Sequence, residues 1–151
     1  MPQLSLYSPF GDLTLSETEG ALVSLDWGRA PPEFQSATEL LDTARRQLDD
    51  YFDGSRRTFD LPIRPAGTAF QQRVWQLMLA IPAGATRTYG DLAAELGSAA
   101  RAVGAACGAN PLPIIIPCHR VLAAGGRLGG YSGDGGTETK AALLRLEGAL
   151  L

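Results

Sequence analysis

A length of 151 residues, 45% hydrophobic content and a mean hydropathy of +0.00 describe an ordinary globular chain with room for one good core or two small ones. No run approaches the roughly 20 apolar residues of a membrane span, the opening MPQLSLYSPFG lacks the basic, apolar, small-residue order of a secretion signal, and two cysteines are too few for a disulfide framework. A cytoplasmic protein with free Cys107 and Cys118 and no membrane partner is expected.

The net charge of −3 is unevenly spread, because residues 1–65 hold six Lys/Arg and eleven Asp/Glu, net −5, whereas residues 66–151 hold seven and five, net +2. A mildly basic half is weak support for a nucleic-acid partner, since such a half is usually just a solvated surface. In the acidic half, LTLSETEGALVSLDWG alternates Leu13 and Leu15, then Val23, Leu25 and Trp27, around Glu19-Gly20, which predicts a hairpin with one buried face. Ser36 and Glu39 make an S-x-x-E box ahead of Leu40, Leu41, Ala44, Leu48 and Phe52, the stripe of a helix. The stretch GSRRTFDLPIRPAG then reads as a linker. Residues 1–65 are therefore expected to be an α/β scaffold domain with its linker, and residues 66–151 a second domain.

The second half opens with a T-x-x-Q box at Thr68 and Gln71, followed by Phe70, Val74, Leu77 and Ile81 at helical spacing. Trp75 in that helix needs no role beyond the core. TRTYGDLAAELGSAARAVGAACGANP then predicts a helix capped near Thr88, a turn at Gly97 and a second helix from about Ser98 to Cys107, a helix-turn-helix arrangement. A helix that reads bases in the major groove needs outward Arg, Lys, Asn or Gln. This one carries Ala99, Ala100, Ala102, Gly104, Ala105 and Ala106 around a single Arg101. It fits close, sequence-indifferent contact in a minor groove with one intruding arginine, or tight packing against a neighbouring helix.

Residues 110–121, NPLPIIIPCHRV, place Cys118 beside the chain's one histidine, His119. The run Ile114–Ile116 predicts a buried strand that Pro117 stops. Neighbouring side chains of an extended chain point apart, so His119 does not stack on the thiol, and activation of Cys118 has to run through a water or a local turn. A plain buried thiol fits the same pattern. One His, two Cys and no CxxC make a poor zinc set. The glycine-rich stretch around Tyr131 and Ser132 precedes Lys140 but lacks the order of a phosphate-binding loop. It reads as a surface loop or a pocket wall. Glu147, inside the apolar LLRLEGALL, is either solvated or the group that orients the histidine.

Taken in order, GTAFQQRVWQLM, TYGDLAAELG, RAVGAACGANP, IPCHRV, GYSG and LLRLEG resemble the O6-alkylguanine-DNA alkyltransferases over the whole second half. The front half is similar in outline to that family's variable N-terminal domain. The resemblance implies an α+β protein: a small RNase H-like domain followed by a winged-helix-like domain that carries the helix-turn-helix and the active-site cysteine. It further implies that Cys118 accepts an alkyl group from guanine O6, with thymine O4 as a second position. His119 would take the thiol proton through a water, Glu147 would orient His119, and Tyr89 would hydrogen-bond the departing base. Asn110 would tie the helix-turn-helix to the active-site turn, while Pro113, Val121, Tyr131 and Ser132 would line the base pocket. Arg101 would fill the gap of a flipped nucleotide, with Ala100, Ala102 and Gly104 allowing close approach. The partner implied is double-stranded DNA containing O6-alkylguanine, bound through the minor groove without sequence specificity, by a protein that is a monomer in solution. No cofactor and no metal are implied. Two other classes compete. A lesion-flagging module of the same fold replaces the cysteine, which is present here. A transcription regulator needs the base-reading side chains that the second helix lacks. A Cys-His hydrolase is disfavoured by the adjacency of the two residues.

Overall fold

The computed structural model describes residues 1–131 and 135–150, which divide into two compact units, Met1–Ala66 and Gly67–Leu151.

In the first unit, β1 (Gln3–Leu6), β2 (Leu13–Thr18) and β3 (Ala21–Trp27) form an antiparallel sheet in that order. The hairpin turns at Glu19-Gly20, both in the left-handed region. A register shift opposite Ser16/Glu17 leaves Val23 without a facing partner, so Leu22 rather than Val23 joins Leu13, Leu15 and Leu25 in the core. The expected one-sided hairpin is in fact buried on both faces of β2. On the second face the Ser5 and Thr14 hydroxyls meet at 2.8 Å and Gln3 Nε2 donates to Ser16 Oγ at 3.0 Å. β1 escapes a sequence reading because four residues carry too little periodicity. Helix α1 (Glu39–Phe52) buries Leu41, Ala44, Leu48 and Tyr51. Its cap is Thr38, whose hydroxyl accepts from the Leu41 amide, and not Ser36, whose amide is spent on the Gln3 carbonyl. Most of the expected linker belongs to this unit: the Leu22 amide donates to the Pro62 carbonyl and the Arg64 amide donates to the Leu22 carbonyl on either side of the Ile63 bridge, and Gln47 pins the backbone of Asp60.

In the second unit, α2 (Ala69–Leu79) begins with the Thr68/Gln71 capping box formed in both directions. Trp75 is 1% exposed and donates its indole N–H to the Ala106 carbonyl at 2.9 Å. That bond braces α4 (Ala100–Gly108), the second helix of the pair, against α2. The first, α3 (Tyr89–Leu96), is capped by a Thr88/Asp91 box and ends at Gly97, whose φ of 63° is the left-handed conformation that a tight interhelix turn requires. Two short strands, β4 (Arg87–Thr88) and β5 (Val121–Leu122), pair in parallel. This pairing fixes the site: β4 hands the chain directly to Tyr89, and β5 begins three residues after Cys118. Helix α5 (Gly136–Leu146) closes the unit with Leu143 and Leu144 in the core. Among the described residues no helix is long and apolar enough to cross a membrane.

Candidate active site

The segment before Cys118 is buried but is not a strand. Ile114, at φ 76°, and Ile115 form a turn closed by a bridge between Pro113 and Ile116. A β-branched residue in the left-handed region is costly and persists only where its surroundings hold it. Asn110 does the holding. Its Nδ2 donates to the Ile116 carbonyl at 2.8 Å, its Oδ1 accepts from the Leu112 amide at 2.9 Å, and Ile116 N–H returns to the Leu112 carbonyl. A side-chain amide thus supplies the partners that a neighbouring strand would have offered, and the end of α4 is tied to the turn that presents Cys118.

Cys118, His119 and Arg120 form one turn of 3₁₀ helix. Successive side chains of such a turn diverge by about a third of a circle. Cys118 faces a cavity of about 370 Å³, and His119 points the other way. Within hydrogen-bond reach behind the turn, His119 Nε2 lies 2.7 Å from Glu147 Oε2, with both side chains essentially inaccessible. Arg120 takes the same carboxylate in bidentate fashion, Nε to Oε1 at 2.9 Å and Nη2 to Oε2 at 2.8 Å, while its Nη1 donates to the Ile81 carbonyl at 2.6 Å. A guanidinium so placed keeps Glu147 ionised, so the histidine proton sits on Nε2 and Nδ1 is the acceptor. That Nδ1 is buried and makes no hydrogen bond to a described residue.

Electrostatics set the resting protonation states. Burial pushes the Cys118 thiol up, opposed by a hydrogen bond from Asn110 and by the charge of Lys140, so it rests as a thiol. Burial also holds His119 below its ordinary range, the pull of Glu147 being opposed by Arg120 and Lys140, so the imidazole rests neutral. A neutral base behind a protonated thiol is the state from which a nucleophile can be generated. Cys107, on the same cavity, is pushed up to about 12 by burial and then by the charge of Cys118; its S–H points to Met78 Sδ at 3.5 Å.

The remaining cavity wall comes from Tyr89, Tyr131, Gly104, Gly108 and Gly130. Tyr89 is pushed up to about 12, chiefly by burial, and remains a hydroxyl donor. The Tyr131 hydroxyl is buried without a partner among the described residues. Gly129, at φ 69°, is in the left-handed region that favours glycine, and a Cβ there would come within 3.3 Å of the Ala123 side chain and 3.4 Å of the Tyr89 ring. Among the described residues no group of three or more His, Cys, Asp or Glu is placed to hold a metal ion.

Two family models match the chain: the 6-O-methylguanine DNA methyltransferase ribonuclease-like domain over residues 5–65 and the DNA binding domain of the same family over residues 69–149. The chain belongs to the 6-O-methylguanine DNA methyltransferase family. It is 44% identical to the constitutive methylated-DNA–protein-cysteine methyltransferase of Bacillus subtilis, over 93% of this chain and 91% of that one. It is 41% identical to a methylated-DNA–protein-cysteine methyltransferase of Methanosarcina acetivorans, over 94% and 95%. The crystal structure of Mycobacterium tuberculosis OGT in complex with DNA superposes with a TM-score of 0.88 at 42% identity, covering 99% of this chain and 94% of that one.

Cys118, Tyr89, Tyr131 and Gly104 meet at the cavity, with His119 and Glu147 behind it and Asn110 beneath. Pro113 is buried in the turn instead of on the wall, and Val121 enters through its carbonyl, which Lys140 Nζ engages at 2.7 Å. Arg101, with Ala100, stands exposed on the outer face of α4, and Ala102 is half-buried. Ser132 lies outside the described residues. Two residues escaped the sequence reading. Lys140, with no exposed surface, ties Val121 to the Gly130 carbonyl at 3.1 Å, and its ammonium lies 5.7 Å from the centre of the Tyr89 ring; burial holds its pKa down. Arg120 binds Glu147. A lone cation in a sequence looks like a surface charge, and only the placement of Arg120 inside IPCHRV hinted otherwise.

Proposed function

We propose that this protein repairs DNA by taking an alkyl group from guanine O6 onto Cys118, using His119 and Glu147 as the relay that makes the thiolate. One observation supports this most: a buried thiol on a cavity wall, followed in the same turn by an imidazole whose Nε2 is bonded to a carboxylate and whose Nδ1 has no partner among the described residues. His119 Nδ1 takes the thiol proton through a water, and sulfur attacks the alkyl carbon. A carbon–sulfur bond forms as the carbon–O6 bond breaks, and its electron pair leaves with guanine. The Tyr89 hydroxyl donates to the departing base and stabilises the charge that develops there. Tyr131, with Ser132 and the carbonyl of Val121, supports the base edge, and Pro113 and Asn110 hold the turn. A thioether offers water no carbonyl to attack, so each molecule acts once.

A stacked base cannot enter the cavity, so the lesion has to leave the duplex at a cost of a few kcal/mol. The helix that borders the cavity through Gly104 and Gly108 also carries Arg101 outward. This supports an arginine that replaces the extruded nucleotide from the minor groove, with Ala100, Ala102 and Gly104 allowing close, sequence-indifferent approach. We read the protein as a cytoplasmic monomer that needs no cofactor. The test is intact mass after mixing with a methylated duplex. One CH₂ increment per chain, mapped to Cys118, is expected; transfer to Cys107, or none at all, overturns the assignment.

A further inference from the structure

Glu147 Oε2 accepts from two donors at once, His119 Nε2 at 2.7 Å and Arg120 Nη2 at 2.8 Å, and Arg120 Nε closes a second bond to Oε1. An imidazole facing a lone buried carboxylate is drawn to take up a proton, since an isolated buried charge is costly. An imidazolium cannot accept the proton of a thiol. A guanidinium on the same carboxylate removes that drive by supplying the countercharge itself, and its planar fork fixes where both oxygens point. We infer that Arg120 is a positioning residue for the transfer step: by pairing with Glu147 it keeps His119 uncharged, with the proton on Nε2 and Nδ1 left as the acceptor. This rests on the reading of His119 as the base.

Other charged and titratable groups around the histidine do not supply the same control. Cys118, on the same turn, rests protonated. Lys140, on α5, is buried but is spent on the carbonyls of Val121 and Gly130, and Glu138 and Arg145 on that helix are exposed. On α2, which also packs against the turn, the one charged residue is the exposed Arg73. Arg120 is also anchored independently of the carboxylate, through the Ile81 carbonyl. Its position therefore does not depend on the protonation of the pair it controls.

His119 is the only histidine in the chain, so its imidazole ¹⁵N resonances can be titrated without assignment. The experiment compares wild type with Arg120→Met, Arg120→Lys and Arg120→Met/Glu147→Gln, reading both the imidazole titration and the single-turnover rate of transfer from a methylated duplex between pH 5 and 9, roughly the span over which histidine titrates. Arg120→Met is expected to move the imidazole titration upward by about one unit or more, and the acid limb of the rate with it. The loss is then about tenfold below both limbs and shrinks as pH rises. Arg120→Lys, which keeps the charge, restores most of the shift. The double variant removes the carboxylate that drew the proton as well as the cation, and both curves move back down. An equal loss at every pH with an unmoved titration, or failure of the lysine to restore it, makes Arg120 a strut between α2 and α5 and overturns the inference. If the titration moves and the rate does not follow, Arg120 still controls the imidazole charge, but the relay falls and with it any bearing of Arg120 on transfer.

Discussion

The two units bury polar groups in opposite ways. Under the sheet of the first unit the buried polar side chains are chiefly neutral hydroxyls and amides: Ser5 and Thr14 bond to each other, Ser5 also to Gln35, Thr14 to the Gly28 carbonyl, and Ser16 to Gln3. Around the cavity of the second, a thiol, an imidazole, a guanidinium, a carboxylate and an ammonium lie within one turn and one helix with its cap. Hydroxyls bonded to backbone cost little to bury and help stabilise the sheet. Buried charges rarely add net stability over apolar residues of the same shape. Their concentration in one place marks where the molecule trades stability for chemistry.

The sharpest break of that contrast is Cys118→Ala. Transfer is expected to vanish, with Cys107 left unmodified because burial pushes its thiol up and its S–H is directed at the Met78 sulfur, which is no base. Next in size is Glu147→Gln, which leaves an oxygen for His119 and Arg120 but removes the charge that steadies the imidazolium as it forms. A loss of about 10²-fold in single-turnover rate is expected, within the range for proton-transfer catalysis, with DNA affinity nearly retained. An unchanged rate in protein of native near-ultraviolet circular dichroism overturns the relay. The same network sets the pH response of wild type. His119 is held below its ordinary range, so it still binds no proton where a free histidine would. As pH falls the rate should therefore hold through about 6.5 and decline only below it; a decline centred above that value contradicts the geometry.

Arg101→Ala probes the boundary between the site and its substrate. If the arginine occupies the hole left by the base, its loss penalises a methylated duplex by about 30-fold, taking about 2 kcal/mol of the flipping cost. A methylated single strand should lose less, and free O6-benzylguanine, which has no stack to leave, very little. Equal losses on all three mean that Arg101 supports the fold or the thiol. Weaker binding to modified and unmodified duplex alike, with a shallower salt dependence, makes it a phosphate contact instead.

The same contrast explains what the sequence disclosed. Capped helices were legible because each rule is local: Thr68 with Gln71 and Gly97 at the helix turn act within one turn of chain. The first cap slipped from Ser36 to Thr38 because two hydroxyls stand within reach of one helix start and only tertiary pairing at Gln3 chooses between them. Ile114–Ile116 read as a strand because β-branching reports burial as faithfully as it reports extension. The amide of Asn110, four residues back, bends the run into a turn. Cys118, His119 and Glu147 were recognisable from a short motif and an isolated carboxylate in an apolar tail. Lys140 and Arg120 were not, because their roles depend on which carbonyls and carboxylates the fold brings to them.

The smallest expected effect on transfer comes from the first unit. Thr14 Oγ1 donates to the Gly28 carbonyl at 2.8 Å, meets Ser5 Oγ at 2.8 Å and lies 3.2 Å from the Ala30 amide. Thr14→Val keeps the shape and the β-propensity but strands those partners, which should cost about 1–3 kcal/mol in denaturant unfolding. All the charged groups that set the thiol and imidazole lie in residues 67–151, so the rate of transfer by the folded variant should equal that of wild type. The comparison requires both measurements on one preparation, because a fall in the folded fraction alone lowers the amount of protein alkylated without changing its rate constant. A lowered rate constant with unchanged stability would mean that the hydroxyl network under the sheet bears on the chemistry, and the division between a neutral scaffold and a charged site would have to be redrawn.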